Sequence, residues 1–560
     1  MKRMLLAALA SALLLPAAAQ KNHNFEIAKN LDIFNALYRE LDTYYVDTLD
    51  ANKYITTAIN AMLDDVDPYT EYFPYDKQKE LEQMSTGFKY AGIGALIRYD
   101  KSVDRCCIDE PYEGMPALQA GLQAGDVILS IDGKDTGKRG SKALDAYTQS
   151  VSNALRGEAG TSFVLKIQRP GVDKPMTLNI TRRNITFPVI TYSGMLTDSI
   201  GYVGLSQYTR DCARDVKRAM TELKEKGARS MVLDLRGNGG GLMVEAINLV
   251  NMFIDRDKTV LETRGKIGAE NYTYRTTEQP WDARIPLVVL VDEGTASAAE
   301  ITSGALQDYD RAVIVGRRTY GKGLVQQPRE LPYKATLKVT TSKYYIPSGR
   351  CVQAYDFKNR NADGSPKHLP DSLCHTFYTA AGRPVKDGGG ITPDLTVKPD
   401  TLSDITMQLD ASDAFFHYCN RYYATHKSIA PASSFSLTDA ELDQLCQDVQ
   451  KDSLKYTTRS QRTIDVLKKS MKYDGYDESA KAQFDALAEA LKPDFRRDFE
   501  RQKKQIKQLA EAEIVRRYYH QRGVAEYSLR GDACVARAIE VLRHPDEYSR
   551  ILQPAPDKKK

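Results

Sequence analysis

Ser297 and Lys322 are the two residues whose types and spacing best suit covalent catalysis. Ser297 stands in the segment GTASAAE, between an apolar run at Leu287 to Val291 and a predicted helix at Ala298 to Leu306. A serine at a strand-to-helix turn with small neighbours can approach a substrate backbone, and the free N–H groups that begin the helix can stabilise an oxyanion. The alternative is that Ser297 only caps the helix.

Lys322 is a candidate base for this serine because the chain has no histidine between residues 24 and 367. It lies between two glycines in the segment GKGLVQ, after a strand candidate at Val313 to Val315. A lysine that is desolvated in an apolar pocket loses its charge more readily and can accept a proton near neutral pH. Gln326 could orient the amine through its amide oxygen. The alternative for Lys322 is a solvated turn residue.

A glycine-rich turn in DLRGNGGGL, from Asp234 to Leu242, follows a further strand candidate at Met231 to Leu235. Its backbone N–H groups could bind an anion. A nucleotide-binding loop is excluded, because no Gly-Lys-Ser/Thr follows and Leu242 stands where the last glycine of GxGxxG should be. The turn is therefore interpreted as oxyanion support or tight packing. The sequence contains no HExxH and no cysteine pair with zinc spacing, so neither a metal site nor a cofactor is predicted.

These three segments, together with YIPSGR at Tyr345 to Arg350 and GITPD at Gly390 to Asp394, resemble the C-terminal processing peptidases, also called tail-specific proteases. The resemblance implies a serine endopeptidase of the Ser/Lys type that recognises protein C-terminal tails. The site that it implies consists of the nucleophile Ser297, the general base Lys322, the orienting residue Gln326, the oxyanion-hole amides of Gly240 and Ala298, and an accessory Glu300.

Residues 85 to 183 resemble the PDZ domain that this family carries before its catalytic core. The resemblance implies that a terminal carboxylate meets the backbone N–H groups of four consecutive residues, Gly92, Ile93, Gly94 and Ala95. The peptide would then add as a strand beside a helix predicted near residues 143 to 155. The alternative is a β-rich module that only packs against the core.

The alternation of strand and helix patterns around these residues predicts an α/β catalytic core with a mixed sheet. A helical segment and the β-rich PDZ domain precede the core, and a helical C-terminal extension follows it. The predicted boundaries are a signal peptide at 1–19, an N-terminal helical domain at 20–84, a PDZ domain at 85–183, a serine peptidase core at 184–400 with a polar insertion at 355–388, and the C-terminal extension at 401–560.

The first twenty residues have the pattern of a secretory leader. Two basic residues precede an apolar run from Met4 to Leu15 and a small-residue site at Ala17 to Ala19, so we expect cleavage before Gln20. The apolar run is too short for a membrane anchor. We therefore expect an exported protein in the periplasm or cell envelope of a bacterium, rather than one released into the medium. In that setting Cys351 and Cys374 could form a disulfide across the insertion or remain free.

A net charge of +4, from 78 basic and 74 acidic residues, is too small to indicate a nucleic-acid-binding surface. The expected partners are polypeptide substrates with free C-terminal tails, and the apolar faces of the N-terminal helices would suit a homo-oligomer. Two other functions stay open. One is a non-catalytic PDZ tail-binding protein with an inactive peptidase-like core, and the other is a small-acyl hydrolase or transferase that uses the same α/β site.

Overall fold

The computed structural model describes residues 2–78, 81, 90–398, 401–451, 454 and 456–554, and gives only the backbone for residues 2–22. The predicted domain boundaries at residues 84/85 and 400/401 therefore touch residues outside the described ones. The chain divides into two compact units, of which one contains Met1–Tyr75 with Pro328–Val339 and the other contains Asp76–Gln327 with Thr340–Lys560.

The first unit consists of two helices and a short β pairing. Its elements are α1 (Lys2–Tyr44), α2 (Ala51–Val66) and β1 (Glu71–Phe73). Helix α2 begins at Asp50, whose side chain accepts the N–H of Lys53. β1 runs antiparallel to residues 336–338. Many apolar side chains on these helices are exposed, among them Phe25, Leu31, Leu37 and Met62.

A six-stranded antiparallel sheet, a separate two-stranded sheet and two helices form the region that precedes the core. The strands of this region are β2 (Tyr90–Gly92), β3 (Ala95–Asp100), β4 (Arg105–Pro111), β5 (Val127–Ile131), β6 (Lys134–Asp135), β7 (Ser162–Gln168), β8 (Met176–Thr181) and β9 (Arg183–Ile185). Its helices are α3 (Pro116–Gln119) and α4 (Leu144–Leu155). The main path of the sheet is β3-β4-β5-β7-β8, so β3 lies at an edge. Alternate residues of β7 are buried, as expected for a strand with one face on a core.

The core is built on a six-stranded mixed sheet in the order β10-β11-β12-β15-β16-β23. The first pair is antiparallel and the other pairs are parallel. The strands of the core are β10 (Ile190–Thr197), β11 (Ile200–Leu205), β12 (Ser230–Asp234), β13 (Thr259–Gly265), β14 (Tyr272–Arg275), β15 (Leu287–Val291), β16 (Val313–Gly316), β17 (Leu324–Glu330), β18 (Thr336–Tyr345) and, after the insertion, β23 (Leu395–Thr396). The helices that follow the parallel strands are α5 (Cys212–Glu225), α6 (Met243–Asn251) and α7 (Ala298–Asp308).

The polar insertion consists of two small antiparallel hairpins. Their strands are β19 (Tyr355–Arg360) with β20 (Pro366–His368), and β21 (Thr376–Tyr378) with β22 (Pro384–Lys386). A buried ion pair anchors the second hairpin, because Arg383 contacts both Asp310, after α7, and Asp394. Cys351, just before the insertion, and Cys374, between its two hairpins, are both free thiols.

The C-terminal region is helical and packs on its neighbours. Its helices are α8 (Asp404–Asp410), α9 (Asp413–Thr425), α10 (Asp439–Lys451), α11 (Arg459–Asp474), α12 (Lys481–Ala490), α13 (Phe495–Arg501), α14 (Lys503–Ser528), α15 (Ala533–Arg543) and α16 (Pro545–Ile551). Helix α15 covers one face of the core sheet, where Val535 and Val541 join a buried cluster with Val232 and Val288. In the described part of the chain, none of the helices contains an apolar stretch of membrane-spanning length.

The predicted fold class is confirmed: an α/β core with a mixed sheet follows a helical segment and a β-rich domain, and helices follow the core. The predicted strand at Leu287 to Val291 has the same bounds in the structure, whereas the helix after Ser297 continues two residues beyond its predicted end.

Candidate active site

Three turns meet at one edge of the core sheet. β12, β15 and β16 are adjacent and parallel, so their carboxyl ends lie side by side. The glycine turn follows β12, the turn with Ser297 follows β15, and the turn with Lys322 follows β16. The carboxyl edge of an open parallel sheet is the usual place for a site, and this topology brings together three segments that are far apart in the sequence.

Ser297 precedes helix α7 in a strained backbone conformation. Its φ of 55° and ψ of −115° are rare for a residue with a Cβ. Such strain costs about 1–3 kcal/mol and persists only where neighbouring bonds hold it. The carbonyl of Ser297 accepts the N–H groups of Glu300 and Ile301, and its own N–H donates to Glu300 Oε2 at 2.9 Å. The side chain is partly exposed, as a nucleophile at a turn must be.

Glu300 connects the serine turn to the lysine turn. Its carboxylate is fully buried and accepts four hydrogen bonds. Oε2 accepts the N–H of Ser297 and the N–H of Lys322 at 2.8 Å, while Oε1 accepts Thr319 Oγ1 at 2.6 Å and the N–H of Gly321 at 2.7 Å. Burial raises the pKa of Glu300, and these four hydrogen bonds oppose that shift. One side chain therefore fixes the backbone on both sides of the candidate site.

Gly240 lies directly against the serine turn. A Cβ at this position would be 2.7 Å from the carbonyl oxygen of Ala296 and 2.8 Å from Ser297 Cβ, and φ is +94°, so only glycine fits. The N–H of Gly240 donates to Asn238 Oδ1 at 2.9 Å. Among the described residues, the N–H of Ala298 has no acceptor. One of the two predicted oxyanion donors is thus unengaged, and the other already has an intramolecular partner.

Lys322 and Gln326 lie on the third turn and at the start of β17. Both side chains are partly buried. Gln326 Nε2 donates to Thr340 Oγ1 at 3.1 Å, which fixes the orientation of the amide.

An open cavity of about 690 Å³ contains most of the predicted residues. Gly240, Ser297, Lys322 and Gln326 all line it, and Ala298 and Glu300 are buried behind Ser297. Apolar side chains supply much of the remaining wall, namely Leu242, Met243, Ile301, Leu324, Val325 and Tyr344. The cavity therefore offers a polar edge with a serine, a lysine and backbone amides, next to an apolar wall.

The four residues predicted to bind a carboxylate lie elsewhere, beside β3. Ile93, Gly94 and Ala95 line a groove between β3 and α4, whereas Gly92 ends β2 and is not part of the lining. Gly94 has φ +68°, and a Cβ there would be 2.5 Å from Met115 Cβ. Within the described part of the chain, the N–H groups of Ile93 and Gly94 have no acceptor, so they are available to a ligand.

The sequence did not reveal the positioning roles of several residues. Glu300 was noted only as accessory, although a glutamate three residues after a helix-capping serine is the capping-box spacing. Asn238, which holds the N–H of Gly240, carried no signal beyond its place in the glycine turn. The ion pair of Arg236 in that turn with Asp532, at 2.6 Å, joins residues 296 positions apart and had no local signal. The described residues contain no group of three or more acidic, histidine or cysteine side chains that could hold a metal ion.

Family models match three parts of the chain. Residues 199–359 match the model described as Peptidase family S41. Residues 108–169 match the PDZ domain model, and residues 405–542 match the model described as "Probable PDZ-protease, C-terminal helical domain".

Two curated relatives match most of the chain. The carboxy-terminal-processing protease of Bartonella bacilliformis is 33% identical over 356 residues, which are 61% of this chain and 77% of that protein. The carboxy-terminal processing protease CtpA of Bacillus subtilis is 28% identical over 446 residues, or 79% of this chain and 91% of that protein. A solved structure of the photosystem II D1 C-terminal processing protease has 29% identity, covers 65% of this chain and 87% of its own, and superposes with a TM-score of 0.35. With a PDZ domain, an S41 core and a helical C-terminal domain, the chain belongs to the carboxy-terminal processing protease family.

Proposed function

We propose that this protease is an exported serine endopeptidase that recognises protein C-terminal tails through its PDZ domain and cleaves peptide bonds with Ser297 and Lys322. The observation that carries the proposal is the carboxylate of Glu300, which binds the backbone N–H groups of both residues. These bonds fix the two backbones beside one open cavity, and Ser297 and Lys322 both line it.

The proposed reaction is acyl transfer from the peptide to water. Neutral Lys322 accepts the hydroxyl proton of Ser297 as Oγ attacks the carbonyl carbon, and the protonated amine then gives that proton to the leaving nitrogen. Release of the amine product leaves Ser297 as an acyl-serine. Lys322 next takes a proton from water, the hydroxide attacks the ester carbonyl, and the proton returns to Ser297 Oγ as the acid product departs.

The N–H of Ala298 is the first donor for the oxyanion in this mechanism, since it begins α7 and has no acceptor among the described residues. Gly240 can contribute only if its N–H turns from Asn238 Oδ1 toward the substrate or is shared between the two acceptors. Attack by Ser297 is expected to make this exchange, because the oxyanion that forms is a stronger acceptor than a neutral amide oxygen.

The proposed tail recognition relies on the edge of β3 that pairs with no strand in the described part of the chain. A peptide that adds to this edge would form main-chain hydrogen bonds with β3, and its carboxylate would reach the amides of Ile93 and Gly94. For the location, we propose export on the evidence of the leader pattern alone. Fractionation of the host cell and sequencing of the mature N-terminus test this, and an intact Met1 would contradict it.

The exposed apolar side chains of α1 and α2 support self-association as a further part of the proposal. Analytical ultracentrifugation of the full chain should detect an oligomer, and Leu31→Glu together with Leu37→Glu should yield the monomer. If the unsubstituted chain is already a monomer, the proposed self-association is wrong.

The decisive experiment uses the purified full-length protein with a protein substrate that has an apolar C-terminal tail. Three proteases are compared: the unmutated chain, Ser297→Ala and Lys322→Ala. A second substrate differs only in an amidated tail. We expect new N-termini by mass spectrometry with the unmutated chain alone, and slower cleavage of the amidated substrate. Cleavage by Ser297→Ala would overturn the assigned nucleophile, and tail binding without cleavage by the unmutated chain would favour the non-catalytic alternative.

A further inference from the structure

The groove between β3 and α4 has an opposite charge at each end. It encloses about 440 Å³. Among the described residues that line it, Arg156 and Asp145 are the only charged ones. Both are exposed, and polar side chains lie between them on the same helix, namely Thr148, Gln149 and Ser152.

Arg156 marks the end at which a carboxylate would bind. It follows the last residue of α4, and its guanidinium lies 4.8 Å from the ring centre of Tyr90, at the start of β2. The N–H of Gly157 donates to the carbonyl of Ala91, so this end of α4 is tied to the strand that leads into Ile93 and Gly94. The two unengaged amides and the one cation of the groove are therefore neighbours.

Asp145 lies at the other end, in the first turn of α4. The eleven steps from residue 145 to residue 156 correspond to about 16 Å along a helix. An extended peptide rises about 3.3 Å per residue, so this length takes the chain from a terminal carboxylate to about the fifth residue from the end. Alternate residues of a strand share one face, so the last, third-last and fifth-last side chains face α4 together.

We propose that this groove selects tails by two charges, with the terminal carboxylate at Arg156 and a lysine or arginine at the fifth position from the end at Asp145. The inference rests on the proposed function, since it specifies which tails the PDZ domain prefers. Hydroxyl or amide side chains at the third-last position suit Thr148 and Gln149.

Binding of fluorescent ten-residue peptides to the full chain carrying Ser297→Ala tests the proposal. The peptides share an apolar last residue and differ only at the fifth-last position, which is lysine or glutamate. An amidated copy of the lysine peptide is the third probe. We expect the lysine peptide to bind about two- to fivefold more tightly than the glutamate peptide, as for an exposed ion pair at low salt.

Substitutions of the two charged residues of the groove test whether each one causes the preference proposed for it. Asp145→Asn should remove the preference for lysine, and Asp145→Lys should reverse it. Arg156→Gln should reduce the advantage of the free carboxylate over the amide by a similar factor. Asp173→Asn is the matched control, because Asp173 is exposed in the same domain but does not line the groove. Thermal unfolding of each variant confirms that it is folded.

The outcomes distinguish the charge selection from the tail recognition on which it rests. If amidation weakens binding but the lysine and glutamate peptides bind equally, the charge selection is wrong and tail recognition stands. If Asp145→Lys leaves the lysine preference unchanged, the selection has another origin and the assignment fails. If amidation has no effect on binding, the proposed tail recognition fails, and the charge selection fails with it.

Discussion

At the scale of residues, the carboxylate of Glu300 has no contact with solvent, so its four hydrogen bonds must compensate for its burial. The sequence alone could predict one of them, because the Ser-x-x-Glu spacing at the start of a helix places the glutamate near the serine N–H. The bonds to Thr319, Gly321 and Lys322 could not be predicted, since they depend on the adjacency of β15 and β16.

Replacing Glu300 by glutamine should reduce kcat at least tenfold. Each carboxylate oxygen accepts two donors, so an amide NH2 in either position would face a donor and leave it unsatisfied, at a cost of about 1–3 kcal/mol. The backbones of Ser297 and Lys322 should shift as a result. Steady-state kinetics and urea unfolding measure the two effects. Tail binding at the PDZ domain should not change, and unaltered kcat would contradict the positioning role.

Gly240→Ala should abolish cleavage, because the new Cβ would overlap Ala296 and Ser297. Gly237→Ala is the matched control in the same turn. Gly237 also has a positive φ, of 67°, but a Cβ there meets nothing within 4 Å. Both variants carry the backbone strain of alanine, about 1 kcal/mol, and only Gly240→Ala should lose activity in a peptide cleavage assay. Equal losses would mean that strain, rather than the close contact, is responsible.

At the scale of elements, the apolar runs at β12, β15 and β16 made the strands predictable, and the glycine and serine turns that follow them indicated where a candidate site would lie. The position of α15 was not predictable. Its periodic apolar residues indicate an amphipathic helix, but no local pattern identifies the sheet against which Val535 and Val541 pack. That sheet is contributed by strands that end well before the helix begins.

Val535→Asp should destabilise the protease by more than 3 kcal/mol, because Val535 is 1% exposed and an unpaired charge would enter the cluster with Val232 and Val288. Ala536→Asp is the control, since Ala536 is the next residue on the exposed face. Thermal unfolding should show a large decrease in Tm for the first variant and little change for the second. Similar Tm values would contradict the packing of α15 on the core sheet.

At the scale of the whole molecule, the helical domain is attached to the PDZ domain by ionic and aromatic contacts. Asp413 pairs with Arg98, and His417 Nε2 lies 2.7 Å from Asp100 Oδ2. Phe416 packs against Cys107, with the guanidinium of Arg98 4.3 Å from its ring centre. Part of the charge on the C-terminal helices therefore serves docking to the PDZ domain rather than contact with solvent.

This docking should weaken in acid. Burial alone would raise the pKa of Asp100, but hydrogen bonds from His417 and Ser102 outweigh it and lower the pKa to about 2. A lowered carboxyl pKa stabilises the fold above pH 4, and this contribution, about 1 kcal/mol after solvent screening, is lost as the pH falls from about 4 to 2.

The comparison of the unmutated chain with Asp100→Asn isolates this contribution. The difference in the free energy of unfolding should be largest at pH 5 and should vanish near pH 2. In His417→Gln the contribution should be smaller and its loss should be complete at a higher pH, because one of the bonds that lowers the pKa of Asp100 is absent. A difference that stays constant from pH 5 to 2 would show that Asp100 is not ionised in this contact.

The position of α15 also determines when the enzyme can be completed during synthesis. About 140 residues separate the last strand of the core sheet from this helix. At typical translation rates of about 5–20 residues per second, a ribosome needs roughly 7–30 s to make that stretch. Throughout this interval the sheet face formed by Val232 and Val288 lacks its cover, and Arg236 beside the glycine turn lacks Asp532. A nascent chain therefore lacks both contacts until the segment that contains Asp532 and α15 has been made.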